Sequence, residues 1–525
     1  MNTEALTIPA LLERAADAHP DMEALVDGPV RLTYAGLRAR VREAAKAFVA
    51  AGVGHGDRIG IWAPNSHRWV VTALGALTAG AVVVPVNTRY KGDEARWMLG
   101  RAGVRLLFTE DGFLGNGYLA MLGLTPGAAA PPLPGLTAVT YDAKPRPGAI
   151  TWEDFLAAGA SVTDEEADAR AAAVRPGDVA DILFTSGTTG RSKGAMCTHR
   201  QDVRTNRAWA DRTGLRHGDR YLIVNPLFHS FGYKAGVFSC LIRAATMVLQ
   251  PVFEAEETMR LIEAERITVL PGAPTIYITM LDAPGRARRD LSSLRLAVTG
   301  AAVVPVALVR WMRAELFPEV VTAYGLTESC GTVTACSVDD DDHTVATTSG
   351  RPIEGVEVRV AGPAGEPLPA GEDGEILVRG HNVMLGYLGD EAATAAAVRD
   401  GWLITGDRGR LDERGYLTIT GRSKDMYVTG GFNVYPAEIE QVLAAHPAVA
   451  EAVVTGVPDA RLGEVGRAYA APRPGSAVTP EELIAHCRER LANFKVPREV
   501  VLLADLPKNA TGKIDKAALS GSAKP

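Results

Sequence analysis

One decapeptide dominates the sequence: Thr185-Ser186-Gly187-Thr188-Thr189-Gly190-Arg191-Ser192-Lys193-Gly194. It follows an apolar run, Ala180-Asp181-Ile182-Leu183-Phe184, which predicts a β-strand. Glycines let backbone N–H groups converge on one ligand, hydroxyls donate hydrogen bonds, and Lys193 adds a positive charge. The spacing does not fit GxxxxGK[ST], so this is not a Walker A loop. A strand followed by this loop predicts a polyphosphate site, and a surface turn rich in Ser, Thr and Gly is the alternative.

Around this loop, from about residue 25 to 350, apolar strands alternate with helical patterns. That alternation is typical of stacked βαβ units with a parallel sheet. The predicted strands include Arg58 to Trp62, Tyr221 to Val224, Ile267 to Leu270 and Leu294 to Val298.

The pattern changes twice towards the C-terminus. From Gly350 to Thr420 the strands are short and separated by Gly and Pro turns, which indicates a small β-rich subdomain. Beyond Lys424 a small α+β domain is predicted, with helices over Tyr435 to His446 and Pro480 to Leu491. The expected fold is therefore α/β. A large N-terminal domain of stacked βα units, residues 1–423, includes a β-barrel-like subdomain at 350–423, and a small mobile α+β domain covers 424–525.

Composition excludes several classes of protein. The chain of 525 residues is 47% hydrophobic and 22% charged, with a net charge of −7, which is ordinary for a globular protein. It has no basic block of the kind that binds nucleic acid or a membrane surface. Trp69 to Asn87 is uncharged, but Gly80 interrupts it, which favours a buried helix over His67 to Thr78 and a strand over 81–84. No stable membrane insertion is expected.

The N-terminal residues and the cysteines both favour a cytoplasmic location. The first residues lack the apolar core of a signal peptide. The cysteines occur without CxxC spacing, which predicts reduced, inert thiols in a cytoplasmic protein. The five are Cys197, Cys240, Cys330, Cys336 and Cys487.

The decapeptide closely resembles the nucleotide loop of the adenylate-forming superfamily, which contains acyl-CoA synthetases, peptide-synthetase adenylation domains and firefly luciferase. The family usually has proline where this chain has Ser192, which loosens the free loop without removing a donor. The family's other motifs follow in order across nearly the whole chain. The resemblance implies that Thr185 is catalytic and that the phosphates are bound by Ser186, Gly187, Thr188, Thr189, Gly190 and Lys193.

The resemblance also implies roles for five further motifs that carry residues of the N-terminal domain. The segment Asn225 to Gly232 supplies His229 as a catalytic-site residue and pocket wall. In Tyr324-Gly325-Leu326-Thr327-Glu328, the tyrosine ring stacks on adenine, the threonine hydroxyl meets phosphate and the glutamate holds Mg²⁺. The expected nucleotide contacts are Gly300, Ala301, Ala302, Tyr324, Gly325 and Thr327, with Asp407 and Arg422 on the ribose.

In the C-terminal domain the resemblance implies a hinge and a second catalytic group. Lys424 is the hinge on which the domain swings between two half-reactions. Pro507-Lys508-Asn509-Ala510-Thr511-Gly512-Lys513 carries the adenylation lysine, Lys513, whose charge offsets the repulsion between carboxylate and phosphate. The CoA channel is expected at Gly430, Gly431 and Phe432, and Phe494, Lys495 and Arg498 resemble the family's contacts to the CoA nucleotide.

The function that the resemblance implies is an ATP-dependent acyl-CoA ligase. The carboxylic acid and ATP give an acyl-adenylate and pyrophosphate, and CoA then displaces AMP. ATP, Mg²⁺ and coenzyme A are the expected cofactors, and the partner is a small-molecule carboxylic acid. A homodimer stays open. Two alternatives also stay open: an enzyme that mainly forms the thioester from a supplied adenylate, and an adenylation enzyme that loads a carrier protein.

Some blocks resemble actinobacterial ligases that act on a propanoate left by steroid ring breakdown. They are Asp181 to Gly194, Phe231 to Gly236, and Lys424 to Tyr427 with the residues up to Pro436. This implies a bulky alicyclic or polycyclic acid, and a terpenoid acid is an open alternative. Lys234 either meets a ring carbonyl or is solvated. Small residues are expected to leave room for rings at Ala235, Gly236, Gly272 and Ala273.

Overall fold

The computed structural model describes residues 6–126, 133–142, 145–185, 192–300, 306–422, 426–434, 436–473, 475–507 and 519. Contacts between Cα atoms divide the chain into two compact units. The first unit comprises Met1–Thr88, Arg96–Leu183 and Gly194–Gly421. The second comprises Arg89–Ala95, Phe184–Lys193 and Arg422–Pro525.

Helices occur in both units. Among the described helices, none is both long and apolar enough to cross a membrane. They are α1 Ile8–Ala18, α2 Tyr34–Ala50, α3 His67–Thr78, α4 Gly92–Ala102, α5 Tyr118–Met121, α6 Trp152–Ala158, α7 Asp164–Ala173, α8 His199–Thr213, α9 Ser230–Gly232, α10 Ser239–Arg243, α11 Ala255–Glu265, α12 Pro274–Leu281, α13 Val306–Glu315, α14 Asp342–Thr347, α15 Glu391–Ala397, α16 Pro436–Ala444 and α17 Pro480–Arg490.

The strands follow the same chain order. They are β1 Glu23–Asp27, β2 Val30–Thr33, β3 Arg58–Trp62, β4 Val82–Pro85, β5 Leu106–Thr109, β6 Thr137–Thr140, β7 Ala149–Thr151, β8 Val179–Thr185, β9 Lys193–Thr198, β10 Arg220–Ile223, β11 Thr246–Leu249, β12 Leu296–Gly300, β13 Glu319–Tyr324, β14 Thr334–Ala335, β15 Arg351–Pro352, β16 Val356–Ala361, β17 Gly374–Gly380, β18 Gly386–Tyr387, β19 Val398–Arg399, β20 Trp402–Leu411, β21 Leu417–Arg422, β22 Tyr427–Thr429, β23 Phe432–Val434, β24 Val449–Asp459, β25 Gly463–Pro472 and β26 Glu499–Leu502.

The largest sheet has eight strands in the order β18-β9-β8-β4-β3-β5-β6-β7. The pairs β3–β4, β3–β5 and β4–β8 are parallel, and all of β4 is buried, as expected for a strand covered on both faces. Helix α3 packs on α2, where a Cβ at Gly75 would lie 2.6 Å from the Cβ of Ala44. Gly80, with φ +83°, follows the end of α3. The predicted β3, α3 and Gly80 cap are confirmed.

Two four-stranded sheets, β10-β11-β1-β2 and β12-β13-β14-β15, complete the α/β core. The strand predicted over Ile267 to Leu270 is formed only in part. Val269 makes single parallel bridges to Tyr221 and Leu296, which connect the two sheets. A further single bridge joins Gly272 to Thr299 beyond Pro271, which has no N–H of its own to donate.

After Gly350 the chain forms an antiparallel sheet in the order β16-β17-β20-β19, with β21 beside β20. The inner faces bury Ile376, Val378, Leu403 and Leu417 in one apolar cluster. These strands lie where the sequence predicts a β-rich region.

In the second unit, β22 to β25 form a sheet in the order β23-β22-β25-β24, with β26 parallel to β25. Helix α17 begins at Pro480, because Thr479 and Glu482 form a reciprocal capping box at its N-terminus. Ile439 of α16 and Leu483 of α17 are fully buried in the core of this unit. The helix predicted over Pro480 to Leu491 is confirmed.

Candidate active site

The predicted phosphate loop lies between adjacent strands β8 and β9 of the large sheet. Thr185 is the last residue of β8 and Lys193 the first of β9, and both are half-buried. In open α/β sheets, ligands bind beyond the carboxyl ends of the strands, and Thr185 lies at such an end. The predicted contacts Ser186, Gly187, Thr188, Thr189 and Gly190 lie outside the described residues.

Two predicted nucleotide contacts of the first unit meet directly. Tyr324 ends β13, and its Oη donates a hydrogen bond to Oδ2 of Asp407 at 2.6 Å. Asp407 lies in β20 and is 7% exposed. Glycine is required next to Tyr324, because a Cβ at Gly325 would lie 2.1 Å from the carbonyl oxygen of Gly331.

Gly300, the last residue of β12, pairs with Ala323 of β13. A Cβ at this position would lie 2.4 Å from the Ala323 carbonyl oxygen, so the glycine permits the close approach of the two strands. Glycine at position 300 is therefore needed for the packing of β12 against β13, apart from its predicted contact with adenine. The next two predicted residues, Ala301 and Ala302, lie outside the described part of the chain.

Glu328 lies in a one-turn 3₁₀ helix, Thr327–Ser329. Its Oε1 accepts a hydrogen bond from Tyr387 Oη at 2.8 Å, and its carbonyl accepts from Met384 N at 2.8 Å. Sequence reasoning missed Tyr387, because a two-residue strand such as β18 has no periodic signal. The hydroxyl of Thr327 and the carboxylate of Glu328 are hard oxygen donors, a set that suits Mg²⁺.

His229 caps the N-terminus of α9. Its Nδ1 accepts from Phe231 N at 3.2 Å, so a neutral ring carries its proton on Nε2. His229 lies at the protein surface, and the protein packed around the imidazole lowers its pKa below the usual value by desolvation. At neutral pH it is an uncharged N–H donor, which fits a pocket wall. The adjacent Ser230 lies close to Gly331, where an added Cβ would be 3.1 Å from the Ser230 Cβ.

The second unit contains the residues that are predicted to line the CoA channel. Gly430 and Gly431, with φ +55° and +85°, form the turn between β22 and β23. Phe432 stacks on Phe494 with ring centroids 4.5 Å apart. The side chain of Arg422, the hinge Lys424 and the adenylation residue Lys513 lie outside what the structure describes.

Comparison with protein families settles what these motifs belong to. Residues 12–388 match the model of the AMP-binding enzyme family. The chain belongs to the AMP-binding enzyme family. Residues 438–513 match the family's C-terminal domain. The predicted family is confirmed.

Two curated relatives are similar over the full length of this AMP-binding enzyme. Both are called 3-[(3aS,4S,7aS)-7a-methyl-1,5-dioxo-octahydro-1H-inden-4-yl]propanoyl:CoA ligase. The protein from Rhodococcus jostii RHA1 is 50% identical over 523 residues, which cover 99% of each chain. The protein from Mycobacterium tuberculosis is 51% identical over 521 residues, again with 99% of each chain covered.

Solved structures agree with this family assignment. A double mutant of o-succinylbenzoate CoA synthetase from Bacillus subtilis has a TM-score of 0.79 at 28% identity, covering 97% of this chain and 98% of that chain. An amide bond synthetase from Marinactinospora thermotolerans has a TM-score of 0.83 at 28% identity, with the same coverage. The predicted α/β fold class and the class of enzyme, an AMP-forming acyl-CoA ligase that uses ATP and CoA on a small carboxylic acid, are confirmed.

Lys234 of the AMP-binding enzyme is neither solvated nor available to a ring carbonyl, so both predictions for it are wrong. Its Nζ lies 2.7 Å from Asp202 Oδ1 and 2.9 Å from Asp181 Oδ1, and all three side chains are at most 1% exposed. Burial alone would lower the pKa of Lys234, but the two carboxylates raise it well above its usual value. The ammonium is a buried structural charge.

The predicted spaces at Gly236 and Gly272 are filled by the enzyme's own side chains. A Cβ at Gly236 would lie 3.1 Å from Cδ1 of Ile223, and one at Gly272 would lie 2.7 Å from Cδ1 of Ile276. These glycines therefore make room for isoleucines, and the expectation that they leave space for rings stays a prediction that this packing does not support.

Lys495 is also held inside the protein, within the second unit. Its Nζ donates to Glu94 Oε1 and Glu438 Oε1, both at 2.7 Å, and the side chain is 1% exposed. Desolvation opposes the charge, but the carboxylates raise the pKa of Lys495. This placement does not fit the weak prediction that Lys495 contacts the CoA nucleotide.

A cavity of about 510 Å³ lies in the first unit, lined among others by His55, Arg58 and Val82. Arg58 and Val82 are the first residues of β3 and β4, so the cavity is at the amino ends of these parallel strands. Because ligand sites in such sheets lie at the carboxyl ends, we do not assign this cavity to the substrates.

Proposed function

We propose that this acyl-CoA ligase activates a bulky, ring-bearing carboxylic acid of the bicyclic propanoate class. One observation carries the proposal: identity of about half over the full length with two ligases named for a fused bicyclic propanoate. Relatives called medium-chain acyl-CoA ligase are only 33–35% identical. The proposal therefore rests on relatives, since the small residues at Gly236 and Gly272 do not support it.

In the proposed site, the nucleotide is held by residues of the predicted N-terminal domain, 1–423. Tyr324 stacks on adenine while its hydroxyl fixes Asp407, leaving that carboxylate oriented to accept from the ribose hydroxyls. Arg422 adds a second ribose contact, and Gly300, Ala301, Ala302 and Gly325 line the adenine. Asp407 is nearly buried, so its hydrogen bond from Tyr324 limits the cost of desolvating it.

The phosphates are proposed to lie on the loop from Thr185 to Lys193, with Thr327 as a further donor. Glu328 would hold Mg²⁺, which supplies positive charge to the phosphate oxygens. Tyr387 orients the Glu328 carboxylate through its hydrogen bond. Lys513 would offset the repulsion between the acid and the α-phosphate, and neutral His229 would donate from Nε2 in the acyl pocket.

The second unit is proposed to serve thioester formation. Gly430 and Gly431 would line the pantetheine channel beside Phe432, and Lys424 would be the hinge between residues 1–423 and 424–525. The homodimer and the cytoplasmic location remain predictions.

An acid panel tests the proposal. The purified enzyme is incubated with ATP, Mg²⁺ and CoA and one acid: a bicyclic indane-type propanoate, a polycyclic terpenoid acid or palmitate. Acyl-CoA is quantified by mass. We expect kcat/KM for a ring-bearing acid to exceed that for palmitate by about tenfold or more, since pocket shape discriminates on this scale. A preference for palmitate contradicts the proposal.

The same assay separates the two alternatives. A wild-type enzyme that uses a synthetic acyl-adenylate and CoA, but not acid and ATP, is a thioester-forming specialist. One that transfers the acyl group to a carrier protein and not to CoA is an adenylation enzyme. Omitting Mg²⁺ with a chelator present should abolish the reaction from acid and ATP, because the triphosphate charge is then uncompensated.

A further inference from the structure

Five reactive or charged side chains are buried together in the first unit. They come from β8, β9, α8, the π-helical turn Tyr233–Phe238 and the residue after the Thr327–Ser329 turn. Each is at most 1% exposed, and none has a role in the proposed reaction. They are Asp181, Cys197, Asp202, Lys234 and Cys330.

Two thiols of this cluster touch. The sulfurs of Cys197 and Cys330 are 3.3 Å apart, and the Cys330 thiol donates to Cys197. The two residues are 133 positions apart in the chain, so no CxxC-like spacing could reveal the pair. The hydrogen bond from Cys330 and the Lys234 ammonium lower the pKa of Cys197, although burial opposes this.

A metal ion fits this cluster less well than thiol chemistry does. Ligand atoms of Cys197, Asp202 and Cys330 lie within 4.8 Å of one another. The ammonium of Lys234 already supplies the positive charge, at 2.7 Å from Asp202. Two thiolates on tetrahedral zinc are about 3.8 Å apart and a closed site needs a fourth ligand. The sulfurs are closer than that, which favours a bond between them.

We propose that hydrogen peroxide converts Cys197 and Cys330 into a disulfide that lowers ligase activity by displacing the turn carrying Glu328. A disulfide needs sulfurs about 2.05 Å apart, so they must approach by about 1.3 Å. Cys197 lies in β9, which is paired on both sides, with β8 and with β18, while Cys330 follows the one-turn helix Thr327–Ser329. The turn is therefore the part that moves.

The chemistry is balanced with peroxide as the oxidant. The Cys197 thiolate attacks one peroxide oxygen, which gives a sulfenic acid and, after protonation of the leaving hydroxide, one water. The Cys330 sulfur then attacks the sulfenic sulfur, the S–S bond forms, and a second water leaves. In sum, two thiols lose two protons and two electrons, and one peroxide becomes two waters. Because both sulfurs are buried, peroxide must enter through local opening, and oxidation should be slow.

The backbone around Cys330 makes the turn sensitive to such a movement. Cys330 has φ +52° and Gly331 has φ +97°, and a non-glycine residue holds the left-handed region only when its surroundings enforce it. Glu328, two residues earlier, is tied to Tyr387 and Met384. A shift of about 1 Å at a catalytic group can cost about 10²-fold in rate. This effect on rate rests on the proposed role of Glu328, whereas the disulfide itself does not.

Oxidation of the full chain tests both the formation of the disulfide and its effect on the ligase rate. The protein is treated with hydrogen peroxide, free thiols are alkylated, and a digest is searched by mass spectrometry for a Cys197–Cys330 linked peptide. The ligase rate is measured before treatment, after it, and after reduction with dithiothreitol. We expect the linked peptide, a rate loss of about tenfold or more, and recovery on reduction.

Matched variants separate this pair from the other thiols. Cys330→Ala and Cys197→Ala should both keep their rate under peroxide, while Cys336→Ala, which removes another buried thiol, should respond as the wild type does. Having two variants of the pair guards against a folding defect in either. The proposal is overturned if Cys197 and Cys330 are still alkylated and unlinked after treatment. It is also overturned if the wild type binds one equivalent of zinc and both Cys→Ala variants of the pair lose that zinc. If the untreated protein makes no acyl-CoA, the proposed function fails while the peptide map still decides the disulfide.

Discussion

Lys234 is held by carboxylates from two different elements, Asp181 of β8 and Asp202 of α8. Lys234→Met should destabilise the protein by about 3–5 kcal/mol, because it leaves buried negative charge without its partner. The free energy of unfolding from urea denaturation measures this. The matched control is Lys46→Met, which breaks a surface ion pair with Asp164 and should cost at most about 1 kcal/mol. If Lys234→Met instead raises KM for the acid at unchanged stability, the lysine binds substrate.

The burial of Lys234 could not be predicted from the sequence, and the cause is physical. A lysine is buried only where partners compensate its charge, and those partners lie far from it in the sequence. The same holds for Lys495, which Glu94 and Glu438 enclose. Residues of the nucleotide motifs were predictable, because their chemistry is carried by short contiguous segments such as Tyr324 to Glu328.

Among the elements, β13 and β20 are joined through Tyr324 and Asp407. Tyr324→Phe keeps the ring and removes the hydroxyl, so Asp407 loses a hydrogen bond of the charged kind, worth about 1.5–3 kcal/mol. We expect KM for ATP to rise about tenfold with a smaller change in kcat. Initial rates at varied ATP measure this.

The control for that experiment is Tyr416→Phe, which removes an equivalent tyrosine–aspartate hydrogen bond, to Asp340, outside the predicted site. It should leave KM for ATP unchanged. Equal effects of the two variants would mean that the Tyr324 hydroxyl acts only on stability.

Elements with strong local signals were predicted best. The boundaries of β3 and α3 match the sequence interpretation, since an apolar strand and a capped, uncharged helical segment are local features. The segment Ile267 to Leu270 has the same apolar signal but forms only single bridges, because pairing depends on what the neighbouring strands offer. The two-residue β18 had no signal at all.

At the scale of the whole molecule, the two half-reactions are expected to use different parts of the chain. Lys513→Ala should lose about 10²–10³-fold in the rate from acid and ATP, where two anions meet, and retain most of the rate from acyl-adenylate and CoA. Gly431→Leu should show the reverse by obstructing pantetheine. Each variant is assayed in both half-reactions.

Gly431 needs a matched control, because its φ of +85° strains any side chain placed there. Gly431→Ala carries the same backbone strain with little bulk, so the difference between Leu and Ala isolates obstruction of the channel. Equal damage by Lys513→Ala in both steps would contradict the two-conformation mechanism for this enzyme.

The order of strands in the sheets also constrains how the enzyme can be made. On the ribosome, β1 is synthesised long before its partner β11. In the same way, one edge of β9 stays unpaired until β18, Gly386–Tyr387, has been synthesised. The nascent chain therefore exposes unpaired apolar strand edges through most of its synthesis, the kind of surface that chaperones shield. If the gene were split between β9 and β18, each product would contain a strand whose pairing partner lies in the other product. The family match ends at residue 388, one residue after the strand that closes this edge.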